Sequence, residues 1–139
     1  MGLTISSPNK SIDVSAAGFM RLRRRVAYCY DEELGRHYEN LMSCETEEDY
    51  NNYSKKTNEL FSNFLCNHAN PTWLFSFLYA SDLEGKLSYG NCTKLLKIIV
   101  DCDDNIILGY AGSPGCATMK DFKQILVDCS LNKRQMKWC

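Results

Sequence analysis

Residues 3–42 read LTISSPNKSIDVSAAGFMRLRRRVAYCYDEELGRHYENLM, and this stretch decides the fold class. Leu3-Ser6 and Ser11-Val14 are short β-favouring pieces. The Ser-Pro-Asn-Lys between them is turn chemistry, so the two predict a β-hairpin. Behind the hairpin the apolar period changes. Phe19, Leu22, Val26, Tyr30, Leu34, Tyr38 and Leu41 step by three or four residues, one face of a single long helix running to about Met42. Gly35 weakens that helix locally. A strand pair followed at once by a long helix points to an α+β chain.

Further along, Thr46 is a helix cap, with Glu47, Glu48 and Asp49 placing negative charge on the first turn. That second helix extends to about Cys66 and is expected to bury Tyr50, Tyr53, Leu60, Phe61 and Phe64. Asn70-Pro71 reads as a cap plus first-turn proline for a third helix ending near Ala80. Ser88 caps a fourth helix to about Asp101. Ile106-Leu108 reads as a strand, and Thr118 caps a last helix burying Met119, Phe122, Ile125, Leu126 and Cys129. Gln135-Trp138 alternates and is expected to return as an edge strand beside the hairpin. The expected architecture is a mainly helical α+β single domain over 1–139. It has about five helices and a small antiparallel sheet from the N-terminal hairpin and the C-terminal strand.

The chain has 139 residues, 45% hydrophobic and 24% charged, values of an ordinary globular domain. At this size, folding removes roughly two-thirds of the unfolded surface from water. The formal net charge of −1 argues against a dedicated duplex-DNA binder, which carries a basic excess. The start MGLTISSPNKSIDV has neither the basic nor the apolar region of an export signal. The longest apolar cluster, Trp73-Leu-Phe-Ser-Phe-Leu-Tyr-Ala80, is less than half a membrane span. A cytoplasmic protein with reduced thiols is therefore expected. Its eight cysteines are never closer than ten residues and form no CxxC, so neither a metal site nor a bound cofactor is expected. Met1-Gly2 with Ser6 also fits an acylation pattern, but Leu3-Thr4-Ile5 reads better as the start of a strand.

Few segments carry chemistry. In Ile106-Ile-Leu-Gly109-Tyr-Ala-Gly112-Ser113-Pro-Gly115-Cys116-Ala-Thr118, a strand, spaced glycines and a helix start could present backbone N–H groups to an anion. The loop lacks the Lys-Ser/Thr of a Walker motif and the glycine spacing of a dinucleotide fingerprint. On the long helix, Arg21, Arg24 and Arg25 share the face opposite the apolar stripe, a patch able to hold a phosphate or an acidic partner. Arg23 falls at the stripe's edge. Glu33 and His37, four apart, are candidates for an acid/base pair, and Cys116 for a thiolate at a helix N-terminus. The ordinary readings are an ion pair at a core margin and an inert thiol. Asp82, Glu84 and Gly85 resemble half of a calcium loop, but Ala80 and Asn91 stand where ligands are required, leaving a helix–helix connection.

Taken together, Ser11-Ile-Asp-Val14, Gly18-Phe-Met-Arg-Leu-Arg23 and Phe77-Leu-Tyr-Ala-Ser-Asp82 carry a resemblance, as do Gly109-Tyr-Ala-Gly112 and Lys137-Trp138. The chain resembles small uncharacterised proteins of Gram-positive bacteria and their phages or mobile elements. The likeness covers most of the chain. It implies a cytoplasmic prokaryotic or phage setting and transfers no functional residues.

The expected function is that of a non-enzymatic binding protein, an accessory factor of a phage or mobile element that captures a host molecule. Its partner would be a phosphate-bearing nucleotide signal held by Arg21, Arg24, Arg25, Gly112, Ser113, Gly115 and Thr118. A host defence protein would instead meet an exposed patch, and a homodimer of this chain fits that reading. The alternative is a small enzyme acting on a phosphorylated or acyl substrate through Glu33 and His37, or Cys116. A third reading is a weak single-stranded nucleic-acid binder using Arg21–Arg25 and nearby tyrosines.

Overall fold

The first strands pair as their alternation dictates: Leu3 faces Val14 and Ile5 faces Ile12, all four buried. The computed structural model describes residues 2–67, 70–81, 83–110, 112 and 115–139. Strands β1 (Gly2–Ser6) and β2 (Ser11–Ser15) are closed by a turn in which Ser7 N–H donates to the Lys10 carbonyl at 2.8 Å. Ser15 ends β2 and caps α1 (Ala16–Tyr30), its hydroxyl accepting from Gly18 N–H at 2.9 Å. Gly18 lies so close to the backbone at Leu108 that a Cβ there would meet the Leu108 carbonyl oxygen at 1.7 Å.

The single helix expected from Phe19 to Met42 is two helices. Asp31 adopts an extended conformation (φ −164°), and its carboxylate accepts from Leu34 N–H at 3.0 Å, capping α2 (Glu32–Asn40). A short carboxylate that can bond its own backbone competes with the helix, and here it wins. The break folds α2 back so that the Tyr28 ring lies against Gly35, where a Cβ would come within 2.3 Å of ring carbon. Gly35 therefore serves a close helix–helix approach. A 3-10 turn at Leu41–Ser43 follows.

The helix α3 (Glu47–Cys66) starts at Thr46, whose side chain accepts from Asp49 N–H while the Asp49 carboxylate accepts from Thr46 N–H. Of the five residues expected to be buried along it, only Leu60 is; Tyr50 is exposed, and Tyr53, Phe61 and Phe64 are half-buried. The helix lies on the outside, packed against α2 and, through Phe61 and Phe64, against Phe75. Helix α4 (Thr72–Tyr79) begins one residue past the expected proline start, and α5 (Tyr89–Ile99) begins at the Ser88 cap. Helix α6 (Met119–Asn132) ends at Lys133 in the left-handed conformation, φ 54°.

Two further readings change. Ile106–Leu108 is no strand: it makes one bridge, Ile107 to Thr118, and forms the stem of the glycine loop. Leu108 N–H donates to Ala117 at 2.9 Å while its carbonyl accepts from Ser15 at 3.1 Å. The supposed connection before α5 contains strand β3 (Gly85–Leu87). The last strand, β4 (Met136–Trp138), sits between β1 and β3 and is not an edge, giving the antiparallel order β2-β1-β4-β3. Among the described residues, six α-helices and this sheet make a mainly helical α+β domain around one core. Phe19, Phe77 and Trp138 pack with ring centroids 5.8–6.3 Å apart. Trp138 Nε1 donates to the Ser81 carbonyl at 3.0 Å. Arg23 is buried beneath them, its guanidinium 4.2 Å from the Phe19 ring centroid and donating to the Ala80 carbonyl at 2.9 Å. A guanidinium is weakly hydrated and stacks on aromatic faces, so this position inside the apolar stripe is accessible to Arg. Among the described residues, no helix is long and apolar enough to cross a membrane.

Candidate functional site

Alternation along β4 turns Met136 and Trp138 into the core and leaves Lys137 on the outer face. There Lys137 pairs with Ser6 of β1 on one side and Lys86 of β3 on the other. The left-handed Lys133 stops α6 and lets Arg134 and Gln135 carry the chain into β4. The N–H groups of Lys133 and Arg134 both go to the Cys129 carbonyl. Opposite them stands the N-terminus of α5, capped by Ser88 and carrying no acidic residue in its first turn. These pieces enclose a groove of about 640 Å³. Ser6, Ser7 and Pro8 form one wall, Ser88 and Tyr89 another, and Lys133, Arg134, Gln135 and Lys137 the third.

The charge in this groove is one-sided. Among the described residues, ion pairs involve Lys10, Arg24, Arg36, Lys56 and Lys123, and none involves Lys86, Lys133, Arg134 or Lys137. Asp128, behind the β1–β2 turn, is already engaged. It accepts from the Ser7 hydroxyl at 2.6 Å, from Asn9 N–H at 2.8 Å and from the Asn132 amide at 2.8 Å. Those hydrogen bonds, the Ser7 contact foremost, hold its carboxyl below the usual range. Asp128 thus shapes the turn lining the groove. Three cationic side chains, a helix N-terminus and the hydroxyls of Ser88 and Tyr89 can together hold phosphoryl oxygens.

The residues singled out from the sequence lie elsewhere. Arg21 donates to the Ile107 carbonyl. With Arg24, Tyr38, Glu39 and Met42 it lines a pocket of about 200 Å³, in which Arg24 pairs with Glu39 at 3.8 Å. Arg25 is exposed and lies near Cys102. Gly112 and Gly115 adopt positive φ, as turn glycines do. Ser113 falls outside the described residues, as does Asp82. Thr118 gives both its N–H (2.9 Å) and its hydroxyl (3.2 Å) to Asp121, so a carboxylate already occupies this start of α6. Gly115 and Cys116 face a groove shared with Lys10, Asp13, Tyr110 and Asp121. The arginines and the glycine loop thus line separate pockets.

Glu33 and His37 also have other partners. Glu33 pairs with Lys56 at 2.9 Å. His37 is buried, stacked on Tyr53 with centroids 4.0 Å apart, and its Nε2 meets the Thr57 hydroxyl at 2.7 Å. Burial, then the Lys56 charge, lowers its pKa, with Glu33 acting in opposition. Beside it a groove of about 690 Å³ between α3 and α4 is lined by Tyr53, Phe61, Phe75 and Tyr79, and the Tyr53 and Tyr79 hydroxyls meet at 2.8 Å. Among the described residues, no group of three or more His, Cys, Asp or Glu side chains could hold a metal ion.

Sequence reading missed Lys133, Arg134 and Lys137, which lie within five residues of one another, because the walls they face, the β1–β2 turn and the start of α5, reach them only through the sheet order. Ser88 was visible as a cap, and Ser7 and Pro8 as turn residues, but not as walls of one groove. No family model matches the chain, and no curated protein and no solved structure matches it either.

Proposed function

We propose that this chain is a non-enzymatic binding protein that captures a phosphate-bearing small molecule in the groove between the β1–β2 turn, the start of α5 and the α6–β4 connection. The observation that carries this reading is the set of cations around the groove, none ion-paired to a described residue, facing a helix N-terminus that carries no acid. A nucleotide suits the dimensions: the groove volume falls in the range of small-molecule sites, and the Tyr89 ring, half exposed at its wall, offers a face for a base. The resemblance to proteins of phages and mobile elements supports a host-derived ligand. The site proposed differs from the arginine and glycine-loop set expected from the sequence.

Titration calorimetry with ATP and with inorganic pyrophosphate tests the reading. Arg134→Ala and Lys137→Ala should each weaken binding by roughly ten-fold or more, since a charge-assisted hydrogen bond contributes about 1.5–3 kcal/mol. Arg21→Ala should leave affinity unchanged. Absence of binding by either probe at millimolar concentration, or loss on Arg21→Ala alone, would overturn it.

A further inference from the structure

The described cysteines include one pair in sulfur contact. Cys29, on the last turn of α1, and Cys102, just past α5, place their Sγ atoms 3.0 Å apart, although 73 residues separate them in the chain. Cys29 is exposed and Cys102 half-buried. The Cys102 backbone is held on both sides: its N–H donates to the Ile99 carbonyl at 2.9 Å, and its own carbonyl accepts from Lys123 Nζ at 2.6 Å. Lys123 also binds the Val100 carbonyl at 3.1 Å and Asp104 at 2.7 Å, so the turn carrying Cys102 is pinned against α6.

We infer that Cys29 and Cys102 form a site of reversible oxidation, closing to an intramolecular disulfide that ties the end of α1 to the end of α5. A disulfide needs a sulfur–sulfur distance of about 2.05 Å, so closure asks for only about 1 Å of approach. The oxidant is a low-molecular-weight disulfide. Exposed Cys29, as thiolate, attacks one sulfur of that reagent, forming a mixed disulfide and expelling one thiol. Cys102 then gives up its proton and attacks Cys29 Sγ, expelling the second thiol. Two protein thiols are oxidised and one small disulfide is reduced to two thiols.

The order of attack follows from the surroundings. Burial and the neighbouring Cys29 push the Cys102 thiol up to about 12, so Cys102 is protonated at neutral pH and acts second. The Arg25 and Lys123 charges favour its thiolate and assist that step. The other close pair, Cys92 and Cys129, is fully buried, with the Cys92 thiol also pushed up to about 12 by burial, and no oxidant reaches it.

Oxidised glutathione added to the native, reduced protein tests this, followed by denaturation, alkylation and intact mass measurement. Six of the eight cysteines should remain alkylatable, and peptide mapping should join Cys29 to Cys102. Cys102→Ser should accumulate glutathione on Cys29, whereas Cys29→Ser should keep Cys102 reduced. The cross-linked form should melt at a higher temperature, and reductant should reverse the shift. Eight free thiols after treatment, a lasting glutathione adduct on Cys29 of the unmutated protein, or a bridge between another pair would each overturn the proposal.

Discussion

Lys86 and Lys137 stand directly opposite each other in the β3–β4 pair, both exposed on the outer face of the sheet. Like charges in that relationship cost a few tenths to about 1 kcal/mol relative to a neutral pair. Lys137 lines the groove and Lys86 is its neighbour across the sheet, so under the proposed function a bound phosphate would relieve this repulsion. Lys86→Glu should therefore raise the urea midpoint slightly, by replacing repulsion with attraction, and at the same time weaken pyrophosphate binding. Should the substitution leave the midpoint unchanged or tighten binding, the two lysines have no common electrostatic role.

Glycines of this chain divide by what surrounds them. Gly18 abuts the Leu108 carbonyl and Gly85 the Trp138 ring, where a Cβ would come within 2.1 Å. Gly90, in the first turn of α5, has nothing within 4 Å. Gly18→Ala should cost about 1–3 kcal/mol or more, as overpacking does, because the obstructing atom is backbone. Gly90→Ala should stabilise by about 0.5–1 kcal/mol, through the lower entropy of the unfolded chain. Denaturant midpoints check both, and opposite signs are the expected result.

Asp31 separates α1 from α2. Asp31→Ala removes the carboxylate that caps Leu34 N–H and should cost about 1 kcal/mol. The two helices should nevertheless stay apart, because the Tyr28 ring against Gly35 holds the fold-back independently of the cap. Circular dichroism of the variant should show no gain in helix. A gain would mean that the carboxylate alone enforces the break.

How much of this was legible in the sequence follows from what each signal depends on. Local chemistry was readable: the Ser-Pro-Asn-Lys hairpin, the Thr46 and Ser88 caps, and the inward face of α6 all rest on neighbours in the chain. The break at Asp31 was hidden because the apolar period continues straight through it. Burial along α3 was overestimated because its aromatic stripe covers one side of α2 and α4 and faces the α3–α4 groove. Strand β3 has only three residues and gains its identity from pairing with β4. The candidate groove was unreadable for that same reason. Its cations Lys133, Arg134 and Lys137 sit together in the chain, but the order β2-β1-β4-β3 is what sets them against the β1–β2 turn and the start of α5. The Arg21–Arg25 cluster showed the reverse: adjacency in sequence, with Arg23 entering the core, Arg24 paired with Glu39 and Arg25 turned toward Cys102.

His37 gives the fold a pH dependence whose sign can be worked out. Its ring is buried against Tyr53 and meets the Thr57 hydroxyl, and its pKa is lowered from the ordinary 6.5, first by burial and then by Lys56, while Glu33 opposes the shift. The unfolded chain therefore binds this proton more readily than the folded one. Stability from this residue is complete above about pH 6.5 and is lost as the pH falls below that value toward the folded-state pKa. Asp49 and Asp128, whose carboxyls are held low by hydrogen bonds, lose their contributions only in the more acidic carboxylate range, so the windows separate. Urea midpoints of the unmutated protein should fall between pH 7.5 and pH 5, roughly the span that brackets a histidine. His37→Gln should be less stable at neutral pH, yet its midpoint should change little across that span. An equally steep decline in the variant would show that the burden of neutrality lies on another group.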